Sequence, residues 1–382
     1  MKPTPIYLDH AAATPLDERV LAAMQPYLSE EFYNPSATYS AALDARKALE
    51  AARGKVAHWL GARPSEITFT AGGTEANNLA VHGVLRAYPD SNVVISAIEH
   101  DSVRAPAARY DCREVAVTPD GFIALDDLIA KIDDQTVLVS IMYANNEIGT
   151  VEPIREVSQI VNSIRRDRAA AGNTRPLYLH TDACQAANYL DLHTARLGVD
   201  LMTLNGGKVY GPKQTGALFV KGGLPLQPLI DGGGQEHGLR SGTENVAGAI
   251  GLAEALDIAQ TMRHEEVKRL QELQQQFLRL IATTLPTAII NGTIRKRLPN
   301  NIHLTLAGSD NERLLIQLDE AGIMAAAGSA CSASDDEPSH VLRALGLDDT
   351  IAQSSLRFTL GRPTTSEAVD TVVAALARLV AP

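Results

Sequence analysis

Residues 200–218 read Asp-Leu-Met-Thr-Leu-Asn-Gly-Gly-Lys-Val-Tyr-Gly-Pro-Lys-Gln-Thr-Gly-Ala-Leu, a short apolar strand followed by a glycine-rich turn that contains a lysine. Glycines at a strand end let the backbone turn sharply and let a ligand approach closely. Lys208 comes next, and a lysine walled by apolar residues loses its proton more easily than a surface lysine. A neutral amine is what Schiff-base chemistry with an aldehyde requires. From this stretch alone an ordinary turn lysine is the simpler interpretation, and Lys213 is the nearest competitor.

On both sides of this turn, short β runs alternate with helical patterns. The predicted strands lie at residues 67–70, 92–97, 113–118, 136–143, 177–181, 200–204 and 216–221. The predicted helices lie at about 17–29, 40–60, 74–85, 102–109, 124–132, 153–169 and 192–197. This alternation predicts an α/β domain in which a mostly parallel seven-stranded sheet lies between helices. Such sheets bind ligands at the carboxyl ends of their strands.

The last third of the chain has a different pattern. A long helical stretch at about 244–284 becomes charged on one side and apolar on the other, as expected of a helix that leaves one domain for another. The elements that follow are predicted strands near 300–306 and 355–360 and helices near 310–321, 338–346 and 366–380. We therefore predict a large domain at residues 16–260 and a smaller α+β domain formed by residues 1–15 and 261–382.

The composition argues against several classes of protein. The chain has 382 residues, of which 45% are hydrophobic and 21% charged, as in soluble globular proteins. Its net charge of −11 repels phosphates and argues against nucleic-acid binding. No apolar run reaches the roughly 18–20 residues that span a membrane, so we expect no membrane span. Residues 1–5 do not show the apolar core of a signal peptide, so we do not expect one. Three cysteines without disulfide or zinc spacing predict a cytoplasmic protein without a metal.

Polar side chains follow four successive predicted strands. In chain order they are His100, Asn145, Asp182 with Gln185, and Lys208. One polar residue at a strand end usually satisfies a local hydrogen bond, but four in order on one sheet edge are less easily explained by structure alone. An aspartate there can pair with a protonated pyridine nitrogen, and an imidazole can stack on the ring and carry protons. The pattern predicts a catalytic site at this edge.

Two small-residue turns are candidate anion sites. Gly73 and Thr74 open a helix directly after a strand, where unpaired N–H groups and the helix dipole attract an anion. An ordinary helix cap with Glu75 in the first turn uses the same donors. The glycine-rich loop at 231–244, which contains Thr243, is a second candidate. A flexible surface loop that ends in a hydroxyl cap explains it equally well.

Two further residues could carry chemistry. Small residues surround Cys331, so we expect an exposed thiol, which is nucleophilic when its pKa is lowered. Cys112 and Cys184 lie beside strand segments and are expected to be packing residues. Arg357 lies in the middle of a predicted strand. It pairs either with a protein acid or with the carboxylate of a substrate, and the sequence does not choose between them.

Taken together, these stretches resemble the cysteine desulfurases of the iron–sulfur-cluster-assembly type, fold-type I enzymes of the class V aminotransferase family that use pyridoxal 5′-phosphate (PLP). The resemblance runs from about residue 6 to 380. The motifs that carry it are Tyr7–Thr14, Phe69–Asn78, Asn145–Gly149, Gly207–Lys208, Tyr210–Lys213, Arg240–Thr243, Gly328–Cys331 and Leu356–Phe358.

The resemblance implies a cofactor site shared by two subunits of a homodimer. Lys208 would form the Schiff base with PLP, while His100 would stack on the ring and move protons. Asp182 would hold the ring nitrogen and Gln185 the phenolic oxygen. The phosphate would be held by Gly73, Thr74 and Asn205 of one subunit and by Thr243 of the other.

The resemblance also implies a substrate and a reaction. Asn145, close to the cofactor, and Arg357 would hold the carboxylate of L-cysteine. Cys331, on a loop of the small domain, would attack the sulfur of the bound cysteine, keep it as a persulfide and release L-alanine. The sulfur would then pass by exchange to an acceptor protein, such as an iron–sulfur scaffold or a sulfur carrier for thio-cofactor or tRNA synthesis.

The chain departs from the family pattern just before the lysine. The family typically has Ser-Gly-His there, whereas this chain has Asn205-Gly206-Gly207. The missing side chain at 207 removes a contact to the phosphate, and one hydrogen bond to a charged group contributes roughly 1.5–3 kcal/mol. We therefore predict weaker PLP retention with the chemistry intact.

Three alternatives share parts of this pattern. They are a selenocysteine lyase, another class V aminotransferase-fold enzyme, and a structural paralogue that binds partners but holds PLP weakly. Cys331 argues against transamination, because that reaction needs no thiol. Retention of Lys208, His100, Asp182 and Gln185 argues against the paralogue.

Overall fold

The computed structural model describes residues 5–328 and 338–380. After the short strand β1 (Ile6–Tyr7), seven strands form the main sheet. They are β2 (Ile67–Thr70), β3 (Asn92–Ser96), β4 (Asp111–Val115), β5 (Thr136–Ser140), β6 (Tyr178–Asp182), β7 (Leu201–Asn205) and β8 (Gly216–Val220). Their order across the sheet is β2-β8-β7-β6-β5-β3-β4. Five strands are parallel, and β8 is antiparallel to both of its neighbours. The prediction of a mostly parallel seven-stranded sheet is confirmed.

The central strands are buried on both faces, as their sequences predict. All five residues of β5, Thr-Val-Leu-Val-Ser, are buried, and such continuous apolar runs are typical of parallel sheets covered by helices on both sides. The helices of this part of the chain are α1 (Glu18–Met24), α2 (Pro26–Ser29), α3 (Ser40–Leu60), α4 (Gly73–Ala87), α5 (Asp101–Ala107), α6 (Leu125–Lys131), α7 (Ile154–Ala170), α8 (Thr194–Leu197) and α9 (Val246–Thr284). Local signals set their ends: α3, for example, stops at Gly61, which adopts a left-handed conformation with φ of 61°.

A second, smaller sheet follows α9. Its strands β9 (Ile289–Ile290), β10 (Asn301–Thr305) and β12 (Ser355–Thr359) are antiparallel, with β10 in the middle. The short strand β11 (Ile323–Met324) pairs with β1 instead, so the N-terminus is joined to the C-terminal part. The helices here are α10 (Asn311–Glu320), α11 (His340–Ala344), α12 (Asp349–Ala352) and α13 (Ser366–Val380).

The long helix α9 contributes to two hydrophobic cores. Leu252 and Leu256, in its first half, pack in the core beneath the large sheet. Leu270 and Phe277, in its second half, pack with the small sheet. This division is compatible with a domain boundary near residue 260, which stays a prediction. Within the described residues, every helix is too short or too polar to cross a membrane.

Candidate active site

A cleft at the carboxyl ends of the central strands collects most of the predicted site residues. The space between its lining atoms, open solvent included, is about 660 Å³. The predicted residues that line it are Gly73, Thr74, His100, Asp182, Gln185, Asn205, Lys208 and Arg357. They come from five separate parts of the chain, so the cleft is a product of the fold rather than of local sequence.

Lys208 ends a short 3-10 turn, Gly206–Lys208, that follows β7. Its half-buried side chain reaches the cleft, where Nζ donates hydrogen bonds to the carbonyls of Ala11 at 2.7 Å and Ala12 at 2.6 Å. The Gln185 amide donates to the same Ala11 carbonyl at 3.0 Å. The competitor Lys213 donates to the carbonyl of Thr14 and is not among the cleft-lining residues. Lys208 is therefore the lysine of this site.

Asp182, the last residue of β6, lies at the floor of the cleft. The amide of Asn77 donates to its Oδ2 at 2.7 Å, and the backbone N–H of Cys184 donates to its Oδ1 at 2.9 Å. Both carboxylate oxygens are thus oriented by protein donors. Burial and then the Asp182 carboxylate raise the pKa of the neighbouring Cys184 thiol well above its usual value, so this thiol stays protonated and unreactive.

His100 forms the N-cap of α5. The backbone N–H of Ser102 donates to Nδ1 at 3.0 Å, and the Ser102 hydroxyl lies 2.8 Å from the same nitrogen. The preceding residue, Glu99, is completely buried. Burial, reinforced by Asp182, raises the pKa of Glu99 well above its usual value. The two contacts of Ser102 with His100 Nδ1 fix the imidazole at the cleft wall through one of its two nitrogens.

The first turn of α4 forms one end of the cleft. Gly72 is its N-cap, and without a side-chain cap the N–H groups of the first turn remain available to an anion. Asn205 lies against this turn, since a Cβ at Gly73 would stand 3.3 Å from Asn205 Nδ2 and only 2.7 Å from Cys184 Sγ. Asn205 Oδ1 accepts from the N–H of Gly207 at 3.0 Å, which turns the Nδ2 group away from the lysine turn. This end of the cleft suits a phosphate.

Arg357 is 1% exposed and enters the cleft from β12 of the small sheet. Its Nη2 pairs with Asp9 at 2.7 Å, and its Nη1 donates to the Asn146 carbonyl at 3.1 Å. Of the two partners considered from sequence, the structure provides the protein acid. The guanidinium also borders the cleft, and its buried Nε has no partner in the described part of the chain.

The structure corrects the predicted placement of Asn145. This residue is fully buried and its side chain is used locally: Oδ1 accepts from the N–H groups of Glu147 and Ile148, and Nδ2 donates to the Ile98 carbonyl. It fixes the turn and does not line the cleft, whereas the next residue, Asn146, does. The sequence could not separate two consecutive asparagines in one turn.

Thr243, like Asn145, does not line this cleft. It is exposed on the loop at 231–244. Its loop is nevertheless tied to α4, because Arg240 pairs with Glu75 at 3.0 Å. Cys331 lies outside the described residues, which end at Gly328 and resume at residue 338.

Three residues that the sequence analysis did not select belong to the site. Asn77 contacts Asp182, Ser102 contacts His100, and Cys184 lines the cleft. Asn77 lies four residues after Gly73 and so on the same face of α4, a signal that helical spacing could have provided. The described chain has no cluster of ligands that could hold a metal ion.

The residue types in the cleft fit PLP. A lysine amine and an aspartate border the same cavity, and the uncapped helix N-terminus with Asn205 lies at one end. A lysine for the aldehyde, an acid for the ring nitrogen and N–H groups for the phosphate are what a PLP site requires. An α/β fold with a lysine just after a strand of the main sheet is the arrangement found in PLP enzymes of fold type I.

The comparison with protein-family models agrees with this class. The aminotransferase class-V model matches residues 6–372. The chain belongs to the class V aminotransferase family, whose members use PLP.

Several curated relatives within this family are named cysteine desulfurases. The chain is 41% identical to "Cysteine desulfurase IscS" of Dictyoglomus turgidum, over 98% of this chain and 94% of that protein. It is 40% identical to "Cysteine desulfurase IscS 1" of Archaeoglobus fulgidus, over 97% and 95%, and 39% identical to human "Cysteine desulfurase", over 97% and 80%. A solved structure described as "NIFS-LIKE PROTEIN" superimposes with a TM-score of 0.90 at 31% identity, covering 99% of both chains.

Proposed function

We propose that this protein is a PLP-dependent cysteine desulfurase, which converts L-cysteine to L-alanine and transfers the sulfur to an acceptor protein. The observation that supports this most directly is the convergence of eight predicted residues on one cleft, with Lys208 and Asp182 among them. The relatives named as cysteine desulfurases match almost the whole chain, and they favour this reaction over transamination or a structural role.

In this proposal the chain holds the cofactor at four points. Lys208 would bind it covalently, and the Asp182 carboxylate, held by Asn77 and Cys184, would pair with the ring nitrogen. Gly73 and Thr74 would bind the phosphate with Asn205, and Gln185 would reach the phenolic oxygen. When bound, PLP supplies an electron-withdrawing ring that stabilises negative charge next to the substrate amine.

The substrate carboxylate would lie against Arg357 and Asn146. Arg357 is anchored by Asp9 and by the Asn146 carbonyl, so its remaining N–H groups are held in a fixed direction. Asn146 replaces Asn145 in this role, because the amide of Asn145 is already used by its own turn. A guanidinium positioned in this way binds a carboxylate with a defined geometry.

Cys331 would be the sulfur acceptor within the protein. A new S–S bond forms between its sulfur and the sulfur of L-cysteine as the Cβ–S bond of the substrate breaks, and a proton replaces the sulfur to give L-alanine. The resulting persulfide exchanges with a thiol of the acceptor protein, which restores the Cys331 thiol. An iron–sulfur scaffold or a sulfur carrier is the proposed acceptor.

A product assay tests the reaction. L-Cysteine supplied with a thiol reductant should yield L-alanine and sulfide in equal amounts. Lys208→Ala should abolish both products and the yellow colour of the protein, and Cys331→Ser should abolish both but retain the colour. Lys213→Ala is the matched control for the lysine. Failure to form alanine from L-cysteine, or full activity of the Cys331→Ser variant, would contradict the proposal.

We also propose that the active form is a homodimer. Leu28 (60% exposed), Phe32 (68%) and Tyr39 (53%) are exposed on and between α2 and α3. Phe32 and Tyr39 both contact the ring of Tyr33, and exposed apolar side chains that cluster are typical of protein–protein contacts. Thr243 is exposed and does not line the cleft of its own subunit, as expected of a residue that contacts the cofactor of a second subunit. The predicted cytoplasmic setting stays a prediction.

Hybrid dimers test the shared site. Neither Lys208→Ala nor Thr243→Ala dimers should show full activity alone. A mixed dimer contains one complete site, with Lys208 from one subunit and Thr243 from the other, so mixing the two variants under exchange conditions should restore activity. No recovery above the sum of the separate variants would exclude the transfer of Thr243 between subunits.

A further inference from the structure

A continuous chain of hydrogen bonds joins His100 to Asp182 behind the cleft. The Ser102 hydroxyl lies 2.8 Å from His100 Nδ1, and it accepts from the amide of Asn77 at 2.8 Å. The second N–H of the same amide donates to Asp182 Oδ2 at 2.7 Å. Asn77 and Ser102 are 1% and 8% exposed, so water does not compete for these bonds.

The donors in this chain fix the position of the ring proton on His100. The backbone N–H of Ser102 can only donate, so Nδ1 must accept and carries no proton. The neutral ring therefore carries its proton on Nε2. Because Nδ1 is turned toward the first turn of α5, Nε2 lies on the opposite edge of the ring. A proton on Nδ1 would have to displace the Ser102 N–H.

The directions of the remaining bonds follow from this assignment. The Ser102 hydroxyl accepts from Asn77, so its own proton is free to donate to His100 Nδ1. Both N–H groups of the Asn77 amide are used, one by Ser102 and one by Asp182. The Asn77 Oδ1 atom is buried and has no partner among the described residues. Among the described residues, the Asn77 amide nitrogen is therefore the link between Ser102 and Asp182 in this series of hydrogen bonds.

We propose that Ser102 and Asn77 are positioning residues that hold His100 as its Nε2–H tautomer and couple its orientation to that of Asp182. This inference rests on the proposed function, since it concerns how the same cleft is prepared for its cofactor. A neutral His100 then presents its Nε2–H to the cleft as a hydrogen-bond donor. Substitution of either Ser102 or Asn77 should disturb the orientation of both His100 and Asp182.

Nuclear magnetic resonance of the cofactor-free protein tests the tautomer. The protein is labelled with ¹⁵N-histidine, and the His100 signals among the ten histidines are assigned with a His100→Gln variant. Nitrogen shifts should identify Nε2 as protonated and Nδ1 as unprotonated. This measurement does not depend on activity, so it separates failure of this inference from failure of the proposed function. A proton on Nδ1 would overturn the assignment.

A double-mutant cycle tests the coupling. Ser102→Ala should weaken PLP binding about 2- to 10-fold, as expected for one neutral hydrogen bond, and Asn77→Ala about 10- to 100-fold because it also loses a bond to a charged group. The double variant should lose clearly less than the product of the two, because either change alone breaks the chain. The readouts are the PLP dissociation constant from reconstitution and kcat.

Asn78 provides a matched control cycle. It neighbours Asn77 on α4, but its amide donates to the Thr74 carbonyl at 2.9 Å and reaches only the backbone carbonyl of Ser102, at 3.4 Å. Ser102→Ala and Asn78→Ala should therefore be additive. Ser102→Thr retains the hydroxyl and should restore PLP binding. Additive losses for Ser102 with Asn77, or no rescue by threonine, would overturn the coupling.

Discussion

The two ends of the cleft are prepared differently. At the ring end, formed by Asp182, Asn77, Ser102 and His100, protein donors already orient the carboxylate and the imidazole. At the phosphate end, formed by Gly73, Thr74, Asn205 and Gly207, the helix N–H groups are uncapped. The ring end is preorganised by the chain itself, whereas the phosphate end leaves its N–H groups for a ligand. We therefore expect loss of the Asp182 charge to lower kcat more than PLP binding, and changes at the phosphate end to affect PLP retention with little change in kcat.

The largest effect is expected from Asp182→Asn at the ring end. The amide keeps the size of the side chain but removes the negative charge that would pair with the ring nitrogen. We expect kcat to fall about 10²- to 10³-fold, the usual loss for one preorganised electrostatic group, with PLP still bound. Initial rates of alanine formation and the visible absorbance of the cofactor measure the two. Asp191→Asn, at a half-exposed aspartate that pairs with Arg196 and does not line the cleft, is the control. An unchanged kcat for Asp182→Asn would remove the asymmetry between the ends.

Gly207→His sharpens the comparison from the other end. A Cβ at this position would meet only ordinary contacts, the nearest being Asn205 Oδ1 at 3.5 Å, so the backbone does not demand glycine. An added imidazole should bind the phosphate and slow PLP dissociation about 10- to 100-fold, while kcat changes little. Dilution into a PLP scavenger measures the rate, with Gly207→Ala as control. Equal rates for histidine and glycine would show that the missing side chain does not limit retention.

Gly73→Ala should weaken the phosphate end by about 10-fold in PLP affinity. Its Cβ would stand 2.7 Å from Cys184 Sγ, so the first turn of α4 must shift, and such overpacking costs about 1–3 kcal/mol. Gly54→Ala in α3 is a matched control because a Cβ there meets nothing within 4 Å. Reconstitution titrations measure the affinity. If both variants bind PLP equally well, Gly73 is not needed for close approach.

The smallest effect concerns stability behind the ring end. Burial raises the pKa of Glu152 from its usual 4.5 to about 8. Between these values the folded protein binds a proton that the unfolded chain lacks, so the free energy of unfolding falls as the pH rises through this window. Glu152→Gln should therefore raise the free energy of unfolding by about 1–3 kcal/mol at pH 8 and by little at pH 5. Urea unfolding at both pH values measures this, with the exposed Glu156→Gln as control; equal gains at both pH values would contradict it.

Most of the large sheet could be predicted because its strands are long enough to show a pattern. All seven predicted strands overlap observed ones, and β2 matches residue for residue. The two-residue strands β9 and β11 are too short to show a hydrophobic period, and they form only by pairing with β10 and β1 elsewhere in the sequence. Long-range pairing of this kind leaves no local signal.

The site was predictable where residue type alone decides the chemistry. Lys208 and Asp182 follow strands whose ends meet at one sheet edge. Asn145 was misplaced because the choice between adjacent asparagines depends on which one closes the turn. Ser102 was missed because its role arises from contact with Asn77, 25 residues earlier in the chain.

The pairing of the two chain ends sets the order in which the protein can be completed during synthesis. The carbonyls that hold Lys208 belong to Ala11 and Ala12, yet their segment is anchored by β11 and by Thr359, whose side chain accepts from the Ala11 N–H. A nascent chain on the ribosome can therefore build the seven-stranded sheet early. The pocket around the reactive amine is finished only after β11 and Thr359 have emerged.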